Sequence, residues 1–174
     1  MQCARLIAKF NAVEHRLEFV KEIEGVKFYN DSKATSVDAT LKALEALSDG
    51  QGKVVLILGG RGKNAPYQPL AELIKVNVRK LILIGEDADN IEKQLGNYAE
   101  VVRATTMQDA VEKSFASAES GDSVLLAPAC ASFDMFDSYE QRGKVFKKAI
   151  LDLTENPKIQ NLKSKIEIWL KNSE

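Results

Sequence analysis

Four short apolar runs punctuate the chain, "KVVLILGG", "KLILIGE", "AEVVRA" and "DSVLLAP", and between them apolar residues recur at helical spacing. Three of the runs are β-branched enough for strands buried on both faces. The intervening helical patterns fall at about Pro69–Asn77, Ala88–Leu95 and Met107–Ala118. Upstream, "RLEFVKEI" and "VKFYND" are separated by "EG", which predicts an N-terminal hairpin. In "VDATLKALEAL", Val37, Leu41, Leu44 and Leu47 again take helical spacing. Strand and helix alternating in this way imply an α/β fold: a doubly wound, mostly parallel sheet with flanking helices. With 174 residues, 45% of them apolar, the chain suits one domain with a sizeable core plus appendages.

In such sheets, ligands gather beyond the carboxyl ends of the strands. That rule directs attention to "YNDSKATSVDAT", "LGGRGKN" and "LLAPACAS". Asp31, Ser32, Thr35 and Ser36 can each cap the helix that starts near Val37, leaving free amides and Lys33 facing one space suited to an anion. Plain N-capping accounts for the same residues. "GGRGKN" combines glycines that allow close backbone approach with the point charge of Lys63. It is not a Walker A loop, because Asn64 follows the lysine and Ile57 stands where the first glycine belongs. Alone, it also reads as a glycine turn with a solvated lysine.

The stretch "APACASFDMF" runs small residues out of a strand end. This leaves the Ser132 hydroxyl and amides at the start of a following helix open to a carboxylate. Covalent catalysis at Cys130 or Ser132 is not expected, since the single histidine, His15, is remote in sequence and no GxSxG elbow surrounds the serine. Cys130 reads as a small packing residue. In "EHRLEFV", Arg16 has a planar fork able to stack on a base or clamp a phosphate, although a His-Arg pair before a strand also suits a plain surface.

Composition removes other classes. Lys and Arg number 24 against 25 Asp and Glu, and no basic cluster interleaves with aromatics, so nucleic acid is not an expected partner. Cys3 and Cys130 form no CxxC and cannot complete a zinc site with one histidine, which points to reduced thiols in a cytosol. "MQCARLIAKF" has too short an apolar core for a signal peptide, and no apolar run reaches 18 residues. A soluble, cytoplasmic protein with no membrane partner is expected.

Together and in this order, "HRLEFV", "FYNDSKATSVDAT", "LGGRGKN" and "APACASFDMFDSYEQRGKVF" closely resemble the carboxy-terminal domain of the Mur ligase family, in its D-glutamate-adding branch, over roughly Phe10 to Ala149. The resemblance implies a Rossmann-like domain of a peptidoglycan-precursor ligase that joins D-glutamate to UDP-MurNAc-L-Ala at the expense of ATP. An acyl phosphate on the acceptor carboxylate would be attacked by the D-glutamate amine. It also implies nucleotide contacts at His15, Arg16 and Asp31. D-glutamate contacts are implied at Thr35, Lys63 and Ser132 and at the backbone amide of Tyr139. The implied catalytic residues are Lys33, near the reacting phosphate, and Arg142 of "EQRG". Ser36 stands where the family commonly has Asn, and Arg61 where Asp is commoner.

Such ligases have three domains, and ATP and Mg2+ belong to the full-length enzyme. The P-loop and the magnesium-holding residues of the central domain are absent from this sequence. The expectation is therefore a remnant of the central domain over residues 1–14, the Mur ligase carboxy-terminal domain over 15–150 and a helical extension over 151–174. In the extension, Ile159, Leu162, Ile166 and Trp169 have helical spacing. Alone, the fragment is expected to be inactive and to bind no cofactor, with ATP and UDP-MurNAc-L-Ala engaged through the missing domains. A rival of another class is a non-catalytic Rossmann-like ligand-binding or interaction module.

Overall fold

The turn at Glu24 and Gly25 folds β1 (Glu18–Ile23) back against β2 (Val26–Asn30) as the predicted antiparallel hairpin. The computed structural model describes residues 14–48 and 52–155. Beyond the hairpin, strand and helix alternate: α1 (Val37–Leu47), β3 (Val54–Gly59), α2 (Ala71–Asn77), β4 (Val78–Ile84), α3 (Ala88–Leu95), β5 (Glu100–Arg103), α4 (Met107–Ser117), β6 (Ser123–Leu126) and α5 (Tyr139–Glu155). The six-stranded sheet has the order β1-β2-β6-β3-β4-β5, and every pairing except β1 with β2 is parallel.

Side chains alternate across a strand, so β3 feeds two cores. Leu56 and Leu58 pack with Leu44 of α1, Ile74 of α2 and Ile91 of α3. Val55 and Ile57 join Val111 and Phe115 of α4 with Phe146 and Ile150 of α5 on the other face. Each of these large side chains contributes about 1.5–3 kcal/mol when fully buried. A polar residue on either face of β3 would therefore disrupt one whole layer.

The chain steps outward through β3, β4 and β5, then returns to insert β6 between β2 and β3. This reversal sets the carboxyl ends of β2, β6 and β3 side by side, which is where doubly wound sheets bind ligands. Helix α5 differs from the sequence reading. It begins at Tyr139 and not directly after Ser132, because Ser138 supplies its cap: the Ser138 hydroxyl accepts from Gln141 N at 3.1 Å, and Asp137 N donates to Gln141 Oε1. The helix runs to Glu155 and buries Leu153. The expectations placed on residues 1–13 and 156–174, including Cys3 and the spacing from Ile159 to Trp169, fall outside the described residues. No helix among the described residues is long and apolar enough to cross a membrane.

Candidate functional site

The loop from Asp31 to Ser36 sends successive side chains to different destinations. Ser36 caps α1, its hydroxyl accepting from Ala39 N. Asp31 and Lys33 line a cleft of about 420 Å3 beside α1. Ser32 points inward and is fully buried, while Thr35 meets the loop after β3.

That meeting joins two predicted residues. Lys63 Nζ donates to the Thr35 carbonyl at 2.9 Å and to its hydroxyl at 3.3 Å. An ammonium has three donors, so one N–H of Lys63 remains for a ligand. The glycine loop that carries Lys63 is shaped by backbone crowding. Gly60 has φ +132°, and a Cβ there would lie 2.3 Å from the Ala131 carbonyl oxygen, so no larger residue fits. Arg61 and Ala131 then pair through both backbone bonds, at 2.9 and 3.0 Å.

The small residues of "APACAS" have the same cause. Gly59 N donates to Pro128 O and Ala129 N to Ala34 O, and Thr40 Oγ1 donates to Ala127 O at 3.1 Å. The segment is threaded between the other two loops, where bulk would part them. It brings Ser132 to the same edge as Arg61 and Lys63. Ser132 is 2% exposed, and its hydroxyl makes no hydrogen bond to Thr35 or Lys63 among the described residues. The amides near Ser132 are not those of a helix start, because Met135 N and Phe136 N both turn back to the Ser132 carbonyl.

Arg142 ties these loops together from behind. Its guanidinium donates to Ser32 Oγ at 2.9 Å, to Ser32 O at 2.8 Å and to Cys130 O at 3.2 Å. Ser32 Oγ in turn donates to Tyr139 O at 2.7 Å. Burial drags the guanidinium down to about 10, with Asp134 among the charges opposing the shift. Arg142 is thus held inside the protein, where its fork fixes the backbones that present Lys33 and Ser132.

Beneath the glycine loop, Tyr67 bridges Asp87 and the Cys130 thiol, its hydroxyl lying 3.0 Å from Sγ. Burial pushes the thiol up to about 11, which suppresses the thiolate form needed of a nucleophile.

The cleft is lined by apolar Leu17, Ala34, Ala39 and Ala43 and by charged Arg16, Asp31 and Lys33. Asp31 is 8% exposed. Burial pushes its carboxyl above the usual range, against an N–H from Leu17 and the charge of Arg16. Lys33 Nζ stands 5.8 Å from the centroid of the Tyr139 ring, within cation–π reach.

His15 is not part of the cleft lining. It is 3% exposed at φ +63°, with Nδ1 at 2.9 Å from Asn30 Nδ2. Asn30 Oδ1 accepts from Ser32 N, so its amide nitrogen is the donor and His15 Nδ1 the acceptor. The His15 carbonyl accepts from Lys33 N at 3.1 Å, which positions the cleft loop. Asp38 and Lys42 also line the cleft. Their i, i+4 spacing on α1 is the one sequence signal that marks them.

Among the described residues, no three His, Cys, Asp or Glu side chains gather where they could hold one metal ion. The residues described therefore do not fit a magnesium site of their own, and no step is assigned to one.

Comparison with known proteins gives the family and the fold. Residues 15–130 match the family described as "Mur ligase, glutamate ligase domain". The chain is 49% identical over 148 residues to the UDP-N-acetylmuramoylalanine--D-glutamate ligase of Caldanaerobacter subterraneus subsp. tengcongensis, covering 83% of this chain and 32% of the relative. It is 52% identical over 147 residues to the enzyme of that name from Solibacter usitatus, covering 84% and 33%. The chain thus spans about a third of the length of the curated relatives it matches. Among solved structures, the MurF ligase of Thermotoga maritima in complex with ADP superposes with a TM-score of 0.59 at 18% identity, covering 83% of this chain and 33% of that one. E. coli FolC in complex with DHPP and ADP gives 0.57 at 16% identity, covering 83% and 32%. These two establish the fold.

Proposed function

The chain belongs to the Mur ligase family, and from that premise we propose that it is the domain that holds D-glutamate and completes the nucleotide site in a ligase joining D-glutamate to UDP-MurNAc-L-Ala. The observation that carries this reading is the contact of Lys63 with Thr35, beside the Arg61–Ala131 pairing that leads to Ser132, on one side of a short loop whose other side, through Asp31 and Lys33, lines a cleft. Two ligands held there would meet near Lys33.

D-glutamate brings two carboxylates and an amine that must attack unprotonated. The spare N–H of Lys63, the Thr35 hydroxyl, the Ser132 hydroxyl and the opening amide of α5 at Tyr139 suit the acid groups, as charge-assisted hydrogen bonds. In the cleft, the buried Asp31 carboxylate suits a ribose diol, and Arg16 suits the base or a phosphate. Lys33 lies between, with its ammonium placed to offset charge on a transferring phosphoryl group. Arg142 acts through Ser32 and Cys130 and is a positioning residue. His15 does the same through the Lys33 amide. Domain limits near residues 14 and 150, Mg2+ use by the whole enzyme and a cytoplasmic setting are part of this reading.

The test is the reaction itself. The whole protein, given ATP, Mg2+, UDP-MurNAc-L-Ala and D-glutamate, should release phosphate and yield the glutamyl product by mass. The 174-residue chain alone should release none above a heat-killed control. Product formed equally well with L-alanine in place of D-glutamate would overturn the assignment.

A further inference from the structure

Several ammonium groups of the fold are neutralised, and Lys42, Lys80, Lys113 and Lys147 each pair with a carboxylate. Lys33 differs. It is exposed, and among the described residues its Nζ makes no hydrogen bond and no ion pair. The group that engages it is the face of the Tyr139 ring, 5.8 Å from Nζ to the centroid. That ring is itself held. His15, buried and fixed by Asn30, stands edge-on to it, with centroids 6.3 Å apart and planes at 86°. The Tyr139 carbonyl accepts from Ser32 Oγ at 2.7 Å, and the His15 carbonyl accepts from Lys33 N at 3.1 Å. His15 and Tyr139 therefore fix both the backbone that carries Lys33 and the ring beneath its ammonium.

We propose that the Tyr139 side chain is a positioning residue for phosphoryl transfer, its ring face holding the Lys33 ammonium in place without neutralising it. This rests on the reading of Lys33 given above, and it adds a role for the ring to the one given to the Tyr139 amide. The use of a ring has a physical reason. A carboxylate partner would fix the lysine equally well but would offset the charge that a transferring phosphoryl group needs. An aromatic face attracts a cation through its quadrupole and carries no net charge. The ammonium thus keeps its full charge and its three N–H donors for a ligand. Holding the side chain in advance also lowers the rotamer entropy lost on binding.

The experiment is the rate of phosphate release by the whole enzyme, with D-glutamate and ATP varied in turn. It compares the natural protein with Tyr139→Leu, Tyr139→Phe, Lys33→Met and the combined Lys33→Met/Tyr139→Leu variant. Leucine keeps the backbone groups and removes the ring. Tyr139→Leu should lower kcat about two- to fivefold, the worth of an exposed cation–π contact, with a smaller change in the KM for D-glutamate. Tyr139→Phe, which keeps the face, should recover most of that loss. In the Lys33→Met background, Tyr139→Leu should cost no further kcat, because no ammonium is left to hold. An equal loss in both backgrounds, a phenylalanine variant no better than leucine, or no loss in Tyr139→Leu overturns the inference and leaves the reading of Lys33 standing. If Lys33→Met keeps full kcat, that reading fails and this inference fails with it. Should Tyr139→Leu not fold, or Lys33→Met have no measurable turnover, proton NMR of the natural 174-residue chain decides. The ring current should move the Lys33 ε-methylene protons upfield of those of Lys42, and an unshifted resonance overturns the contact.

Discussion

Lys63 and Thr35, 28 residues apart in sequence, are joined at the carboxyl edge of the sheet by two bonds from one ammonium, to the Thr35 carbonyl and to its hydroxyl. The contact ties the loop after β3 to the loop after β2. It also fixes where the remaining N–H of Lys63 can point. An exposed lysine would otherwise sample many rotamers, and ordering it in advance lowers the entropy lost on binding.

Thr35→Val separates the two bonds, since the carbonyl contact survives and the hydroxyl contact does not. In the whole enzyme, the KM for D-glutamate should rise about ten- to a hundredfold, matching a hydrogen bond to a charged group of about 1.5–3 kcal/mol. ATP affinity should hold. Steady-state kinetics with each substrate varied in turn will decide it, and an unchanged KM for D-glutamate would remove Thr35 from the site.

Arg142→Ala should destabilise the fold by about 3 kcal/mol. The substitution orphans the carbonyls of Ser32 and Cys130, each costing about 1–3 kcal/mol, and opens a cavity where one of the largest fully buried side chains stood. Relief from burying a charge returns part of that. Arg142→Lys should recover little, because one ammonium cannot span three acceptors in a fork. Denaturant unfolding of the three proteins reads the difference, and a loss under about 1 kcal/mol for alanine would contradict the role drawn from the geometry.

Asp31 exchanges stability for binding. Its folded-state carboxyl is raised above the unfolded value by burial. The native state therefore holds the proton more tightly, and any stability from that proton is complete below the ordinary carboxylate range and lost as pH rises through the raised value. At neutral pH the charged group is a burden. Asp31→Asn, which keeps an oxygen for the Leu17 amide, should raise the melting temperature at pH 7, and the gain should fade near pH ~4. The same change should weaken nucleotide binding. A lower melting temperature at pH 7 would mean that the carboxylate is better compensated than the burial implies.

The layers of the fold were legible because their cause is local. β3, β4 and β6 announce themselves as runs buried on two faces, and α1, α3 and α4 by apolar spacing that their observed spans match closely. The Glu24-Gly25 turn needed only its two residues. What stayed hidden depends on distant backbone. Nothing near Ala127 to Ser132 signals that Gly60 will press against Ala131, so small side chains that read as room for a ligand are first of all room for neighbouring loops. The buried fork of Arg142 was equally invisible, because its three acceptors lie on two other segments. Thr35, Lys63 and Ser132 are implied as site residues by resemblance alone, and the sheet order explains why the loops that carry them share one edge.

The most direct test of the division between an amino-acid side and a nucleotide side is a paired substitution in the whole enzyme, Lys63→Ala against Arg16→Ala, with KM measured for both D-glutamate and ATP. Lys63→Ala should raise the KM for D-glutamate by about ten- to a hundredfold, the worth of a hydrogen bond to a charged group at about 1.5–3 kcal/mol, and leave that for ATP nearly unchanged. Arg16→Ala should weaken ATP more than D-glutamate. Equal losses for both ligands in both variants would contradict the account.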